Sequence, residues 1–100
     1  MTATTARLER RIRRDFPEPG SAANVLQLLA NLPRRSGYDE DVLASERVQA
    51  AVVLAASGNL ARLRQMLDLA AADWRDALVA AELADQDWPQ RLDIEFGPPD

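Results

Sequence analysis

The chain contains no cysteine, no histidine and no lysine. The first two absences exclude disulfides, Cys/His zinc sites, thiol catalysis and imidazole acid–base chemistry, and the third excludes Schiff-base chemistry. Catalysis would have to rely on carboxylate pairs, on Tyr38 or on a serine with an unusual base. No phosphate-binding loop, dinucleotide fingerprint or serine-hydrolase motif is present. The sequence therefore predicts a non-enzymatic protein with no cofactor and no metal site.

Long apolar runs are missing as well. No stretch approaches the roughly 20 residues that a membrane-spanning helix needs. The arginines near the N-terminus are not followed by the apolar segment of a secretory signal. We therefore expect a cytoplasmic protein with no membrane span. Its net charge of −4 favours solubility and gives no general attraction to nucleic acid or to anionic membranes.

The most apolar stretch runs from Ser45 to Ser57 and includes seven consecutive apolar residues at 50–56. A helix that is apolar on all sides is covered by its neighbours on most of them. Ser45 is a suitable N-cap, and the Ser-Gly-Asn run at 57–59 ends the segment. The sequence thus predicts a central buried helix at about 45–57.

Apolar residues recur at helical spacing in further segments, and no segment alternates with period two. These segments are 4–16, 22–32, a helix capped by Asn59, one that starts near Asp73 and one that starts near Asp87. Ser21 is expected to cap the second helix, and residues 33–41 form the one long connection. We predict an all-α fold, a compact bundle of five or six short helices around the central apolar helix, with residues 1–100 as a single domain.

The block from Glu46 to Glu82 carries three motifs in a fixed order: Glu46-Arg47-Val48, Gly58-Asn59-Leu60 and Asp73-Trp74-Arg75-Asp76. In this pattern the block resembles the core of a group of short bacterial all-helical proteins of unknown function. The resemblance covers a little over a third of the chain. It implies a small helical protein and carries no reaction, ligand or partner.

The strongest charge asymmetry lies in residues 1–16, which we predict to form a basic amphipathic helix. Residues 1–14 carry +4, and because the whole chain carries −4, residues 15–100 carry −8. Such a helix is a candidate site for an anionic partner, which could be an acidic protein surface, nucleic acid or a membrane. In the other interpretation it lies against the acidic remainder of its own chain. The sequence leaves open whether it docks or is mobile. The candidate binding residues are Arg7, Arg10, Arg11, Arg13 and Arg14.

The predicted helical hairpin at 45–71 has two interpretations. It is an ordinary αα-hairpin, or it is a helix-turn-helix in which Arg62, Arg64 and Gln65 read bases. Nucleic acid is disfavoured because no aromatic residues interleave the N-terminal arginines and the acidic remainder repels phosphate. A nucleic-acid-associated regulator that uses the N-terminal arginines or this hairpin is therefore only the alternative function.

Four further features have structural explanations. The acidic runs at 39–41 and 85–87 lack the glycine and the glutamate of a calcium loop. Trp74 and Trp88 lie on apolar helix faces, which favours packing over a ligand cage. Arg75 and Asp76 are candidates for a buried ion pair or an interface. The alanine-rich flanks at 70–72 and 80–81 offer surface to another chain, so we expect a protein–protein interaction or adaptor domain, with a homo-oligomer or another protein as partner.

Overall fold

Residues 4–36 and 39–99 are described in a computed structural model, and they form helices and connections without any strand. The prediction of a compact all-α fold is confirmed, with a radius of gyration of 12.2 Å. The helices are α1 (Ala6–Asp15), α2 (Ser21–Asn31), α3 (Pro33–Ser36), α4 (Glu40–Leu43), α5 (Glu46–Ala56), α6 (Leu60–Ala72), α7 (Trp74–Ala80) and α8 (Trp88–Phe96).

Helix α5 is the predicted central helix, and its ends are set by local chemistry. The Ser45 side chain accepts a hydrogen bond from the Val48 backbone N–H at 3.3 Å, which satisfies one of the free donors at the helix start. At the other end Ser57 adopts a left-handed backbone with φ 50°. Because that conformation cannot continue a right-handed helix, the chain turns after Ala56.

The next two helices begin with the same device. The Asn59 side chain accepts from the Arg62 N–H at 2.9 Å, and the Asp73 side chain accepts from the Arg75 N–H at 3.0 Å. Helix α8 instead has a proline in its first turn, where the missing N–H would have had no helical partner. All three helix starts lie where the sequence predicts them.

The core is built around α5, which packs against α6, α7, α1, α4 and α8. Val48, Val52 and Val53 are at most 1% exposed, and small alanines between them let the neighbouring helices approach closely. Burial of a valine side chain stabilises the fold by about 1.5 kcal/mol or more. The apolar run of the sequence therefore lies at the centre of the molecule, as predicted.

Helix α1 docks on the body of the protein. The apolar stripe that its sequence predicts, Leu8, Ile12 and Phe16, is at most 5% exposed. The end of α1 also contacts the turn between α5 and α6, because a Cβ built on Gly58 would lie 3.0 Å from the Asp15 carbonyl oxygen. The structure therefore has the first helix packed against the central part of the fold.

Two sequence predictions on the helix boundaries are wrong. Ser21 does not cap α2; it is the first helical residue, and Gly20 at φ +81° occupies the cap position. The connection at 33–41 contains two one-turn helices, α3 and α4, although Tyr38 and Gly37 lie outside the described residues. These turns are too short to show a helical period in the sequence.

Trp74 and Trp88 are partly buried and pack against the core, in agreement with the predicted packing role. One prediction on side chains, that of a buried ion pair at Arg75 or Asp76, is wrong. The Arg75 side chain is 75% exposed and lies 3.7 Å from Asp73, its own helix cap, and Asp76 is exposed. The interface interpretation of the two residues stays a prediction.

Candidate functional site

The five arginines of α1 do not form one surface. Arg7 is buried, and the Arg11 side chain is 15% exposed, whereas Arg10, Arg13 and Arg14 are exposed to solvent. Arg7 and Arg11 are one helical turn apart and lie beside the apolar stripe of the helix, so docking of α1 turns them inward. The structure therefore divides the predicted binding residues into an inner pair and an outer set of three.

Arg7 joins three helices. Its guanidinium donates to both carboxylate oxygens of Glu46 at the start of α5, with Nε 2.8 Å from Oε2. Nη1 donates to Asp93 Oδ1 at 2.7 Å and to the Gly97 carbonyl at 3.0 Å. The planar fork of arginine suits such bidentate binding of a carboxylate. Arg7 is thus committed to internal partners from α5, from α8 and from the residue that follows α8.

The charge of Glu46 is stabilised in this site. The hydrogen bond from Arg7 lowers the pKa of Glu46 most strongly, burial acts in the opposite direction, and a hydrogen bond from the Thr5 hydroxyl adds to the lowering. The same contacts, led by the hydrogen bond to Glu46, raise the pKa of Arg7 above its usual value. Both groups are therefore ionised at neutral pH, where they form an internal ion pair.

Arg11 is held by a second set of internal contacts. Its Nε lies 3.0 Å from Asp15 Oδ2, one turn along α1, and its Nη1 donates to the Glu95 carbonyl at 2.7 Å. Its Cζ also lies 5.3 Å from the centre of the Phe96 ring, within the range of a cation–π contact. Arg11 therefore fixes α1 to the end of α8.

The outer arginines meet α8 at the surface. Arg10 and Arg14 line a shallow cleft of about 340 Å³ together with Ile94 and Glu95. Ile94 is 79% exposed, one of two large apolar side chains with high exposure among the described residues. We call these four residues the α1–α8 face. Arg13 points elsewhere and lies 3.7 Å from Glu9.

The hairpin of α5 and α6 keeps both of its interpretations. Three polar residues of α6 are exposed, which fits both an ordinary αα-hairpin and a helix-turn-helix: Arg62, Arg64 and Gln65. The turn that joins the two helices packs against the end of α1 through Gly58. These exposed side chains lie on a different helix from the α1 arginines, which are the larger basic group of the sequence.

Each of the two tryptophans has an arginine guanidinium over its ring. Arg47 Cζ lies 4.7 Å from the centre of the Trp88 ring, and the guanidinium donates to the Leu83 carbonyl from Nε at 3.0 Å and from Nη2 at 2.7 Å. Arg75 Cζ lies 5.4 Å from the Trp74 ring. The Arg47 contact fixes α5 to the connection between α7 and α8. Both tryptophans thus have structural partners.

Sequence reasoning missed Gln49. This residue is only 5% exposed, yet it lies among the valines and alanines of α5. Its side chain lines a cleft of about 560 Å³ between α2, α3, α4 and α5. The sequence did contain a signal for it, because Gln49 is a polar residue directly before the unbroken apolar run at 50–56.

The described part of the chain has neither a cluster of metal ligands nor a membrane-spanning helix. Within residues 4–36 and 39–99, no group of three or more carboxylates is arranged to hold a metal ion. Of the helices in these ranges, none combines the length and apolar composition that crossing a bilayer requires. Tyr38, a candidate for catalysis, lies outside the described residues.

Comparison with protein-family models, with curated proteins and with solved structures found no match to this chain. The resemblance to short bacterial helical proteins therefore stays a prediction. What the fold defines is an all-α bundle in which the first helix is fixed to the central and last helices by arginines.

Proposed function

We propose that this protein is a non-enzymatic protein-interaction domain that self-associates through its α1–α8 face. The observation that carries the proposal is the exposed side chain of Ile94 beside Arg10 and Arg14. An apolar centre with a charged rim is the usual arrangement of a protein interface, and arginine is enriched there. Burial of Ile94 against a partner removes the most exposed large apolar side chain of the described residues from water.

A second copy of the chain is the partner that fits the charges. The face presents basic residues from α1 and one acidic residue from α8, Glu95, whose side chain is 39% exposed, and the 51% exposed side chain of Asp93 lies nearby on α8. A two-fold contact uses the same surface of both copies, so the arginines of one come within reach of the acids of the other. Two short helices offer less area than a standard interface, so we expect a weak dimer.

The alternative, a nucleic-acid-associated regulator, depends on the same outer arginines. Counter-ion release by a nucleic acid requires several cations on one surface. Arg7 and Arg11 are bound to carboxylates inside the protein, and Arg13 and Arg14 lie within 3.7 Å of Glu9 and Asp15 respectively. This leaves a smaller positive field than the sequence predicts, which favours the protein partner.

Sedimentation velocity over a wide concentration range tests the proposal. We expect the apparent mass to rise above 11.0 kDa toward twice that value as the protein approaches about 1 mM. Ile94→Asp removes the apolar centre, and Arg14→Glu reverses the rim charge, so both variants stay monomeric. Val79→Asp is the matched control, because Val79 is 65% exposed but lies on α7. A monomer at every concentration contradicts self-association.

The same variants separate the two functions. Binding of a double-stranded oligonucleotide at low salt that Arg14→Glu weakens and Ile94→Asp leaves unchanged would support the alternative. Loss of self-association in both variants without any oligonucleotide binding supports the interaction domain.

A further inference from the structure

Gln49 is a buried polar residue that lacks a hydrogen-bond partner in the described part of the chain. Its residue exposure is 5%, and no hydrogen bond joins its carboxamide to residues 4–36 or 39–99. The carboxamide atoms are not sealed in the core, since the only fully enclosed and unpaired side-chain polar atom in these ranges is Nε of Arg91. Gln49 therefore directs its amide into the cleft that it lines.

Gln49 is the one polar side chain of the buried middle of α5. Buried polar groups in proteins are nearly always hydrogen-bonded. Because its carboxamide is not sealed in the core, its hydrogen bonds go to whatever occupies the cleft, either solvent or a bound group. The amide is therefore available to a ligand in the cleft.

The cleft has the size and lining of a small-ligand site. Its volume of about 560 Å³ lies within the range of such sites, about 300 to 1,000 Å³. Ala30 of α2 and Ala44, which follows α4, give it small apolar wall surface. Gln49 lies on the wall that α5 contributes. Gln27, Asn31 and Thr4 add polar groups to the other walls, so the cleft suits a ligand that combines small apolar groups with hydrogen-bonding ones.

The charged residues of the cleft narrow the ligand class. Arg34 of α3 lines it, as do Glu40 and Asp41 of α4, and all three are exposed and form no ion pair with other described residues. A ligand with one carboxylate, one ammonium group and one amide satisfies Arg34, the two acids and Gln49 at once. We propose that this cleft binds a short zwitterionic peptide, with a dipeptide of small apolar residues as the simplest example.

Each part of that ligand has a named partner. The terminal carboxylate accepts from the guanidinium of Arg34, and the terminal ammonium donates to Glu40 or Asp41. The peptide group exchanges hydrogen bonds with the Gln49 carboxamide, which is both donor and acceptor. The ligand is small and the charged partners are exposed, so we expect a dissociation constant of about 1 mM.

NMR titration of the full chain with Ala-Ala tests the proposal. Side-chain amide resonances report on Gln49 directly, and we expect the Gln49 signals to shift with saturation. Gln49→Leu keeps the size and burial of the side chain but lacks the amide, so it weakens binding at least tenfold. Gln65→Leu is the matched control, because Gln65 is exposed on α6 outside the cleft. Absence of shifts at about 20 mM dipeptide, well above the expected constant, overturns the proposal.

Blocked dipeptides test the zwitterion. Acetylation of the amino end removes the ammonium group, amidation of the other end removes the carboxylate, and each change should weaken binding at least tenfold. Equal binding of the blocked forms overturns the zwitterionic class, and equal binding by Gln49→Leu overturns the site. Thermal unfolding gives an independent measurement: without ligand, Gln49→Leu should unfold at the same temperature as the natural chain or higher. A lower unfolding temperature would mean that Gln49 already has a partner within the fold, which also overturns the site.

Discussion

Arg7 and Glu46 are joined by two parallel hydrogen bonds, from Nε to Oε2 at 2.8 Å and from Nη2 to Oε1 at 2.5 Å. The pair connects the first helix to the start of the central one, and the side chains are 7% and 23% exposed. Removal of either partner leaves the other charge in a place where water cannot fully compensate it. This contact therefore fixes α1 to the start of α5 in addition to the packing of its apolar stripe.

Arg7→Met should lower the free energy of unfolding by about 3 kcal/mol, because it leaves the mostly buried Glu46 carboxylate without its cation. Urea denaturation followed by tryptophan fluorescence measures the change. Arg13→Met is the control, since its ion pair with Glu9 is long and exposed and should contribute at most about 0.5 kcal/mol. Equal effects of the two substitutions would show that the buried pair does not anchor the helix.

The same pair makes stability depend on pH. The pKa of Glu46 is lowered in the folded protein, first by the hydrogen bond from Arg7. Stability from a carboxyl group of this kind is fully present above the unfolded pKa and is lost as the pH falls through the folded pKa. We expect the free energy of unfolding to decline as the pH falls below about 4.5.

Glu46→Gln tests whether the loss of stability in acid comes from Glu46. This variant cannot lose a proton at position 46, so its stability should be lower than that of the natural chain at neutral pH and approach it in acid. Urea titrations at a series of pH values give the two curves. Curves that stay parallel throughout the acid range would mean that Glu46 does not contribute to the pH dependence.

Gly58→Ala should destabilise the protein by about 2 kcal/mol or more. Gly58 has φ +77°, and the new Cβ would lie 3.0 Å from the Asp15 carbonyl oxygen, so the turn and α1 have to separate. Gly20→Ala separates the strain of a positive φ from the clash with Asp15. Gly20 has φ +81°, but nothing lies within 4 Å of the added carbon. We expect thermal unfolding to show a smaller loss for Gly20→Ala. If the losses are equal, the contact with Asp15 is unimportant.

Arg47→Lys should cost about 2 kcal/mol although the charge is kept. Lysine has one ammonium group where arginine donates twice to the Leu83 carbonyl, and it lacks the flat surface that lies on Trp88. The loss of this contact should also shift the Trp88 fluorescence to longer wavelength. Arg75→Lys is the control, because the Arg75 side chain is 75% exposed and should change stability little.

The central part of the fold could be predicted from sequence because two independent signals agree there. An unbroken apolar run places α5 in the interior, and Ser45 and Asn59 give the starts of two helices. The helices α3 and α4 could not be predicted, because one turn is too short to show a period and residues 33–41 are mostly polar. In the fold α3 packs against α2 and α6, and α4 packs against α3 and α5, contacts that no local pattern encodes.

The candidate site could be predicted only as a set of arginines on one helix. Helical spacing puts Arg7 and Arg11 next to the apolar stripe, which is a signal that these two turn inward. Their acceptors could not be found in the same way, because Asp93 and Glu95 are more than 80 residues away in sequence. Long-range pairs of this kind follow from tertiary packing, which no local pattern encodes.

The acceptors of Arg7 also set an order for folding during synthesis. The first helix is made early, yet two of its acceptors, Asp93 and the Gly97 carbonyl, are 86 and 90 residues downstream. In a nascent chain that has not reached residue 97, Arg7 lacks two of its acceptors, and α1 and α5 lack the contacts that α8 makes with them. Completion of this bundle therefore waits for its last helix, and contacts of such long range make the final step slow relative to formation of the helices themselves.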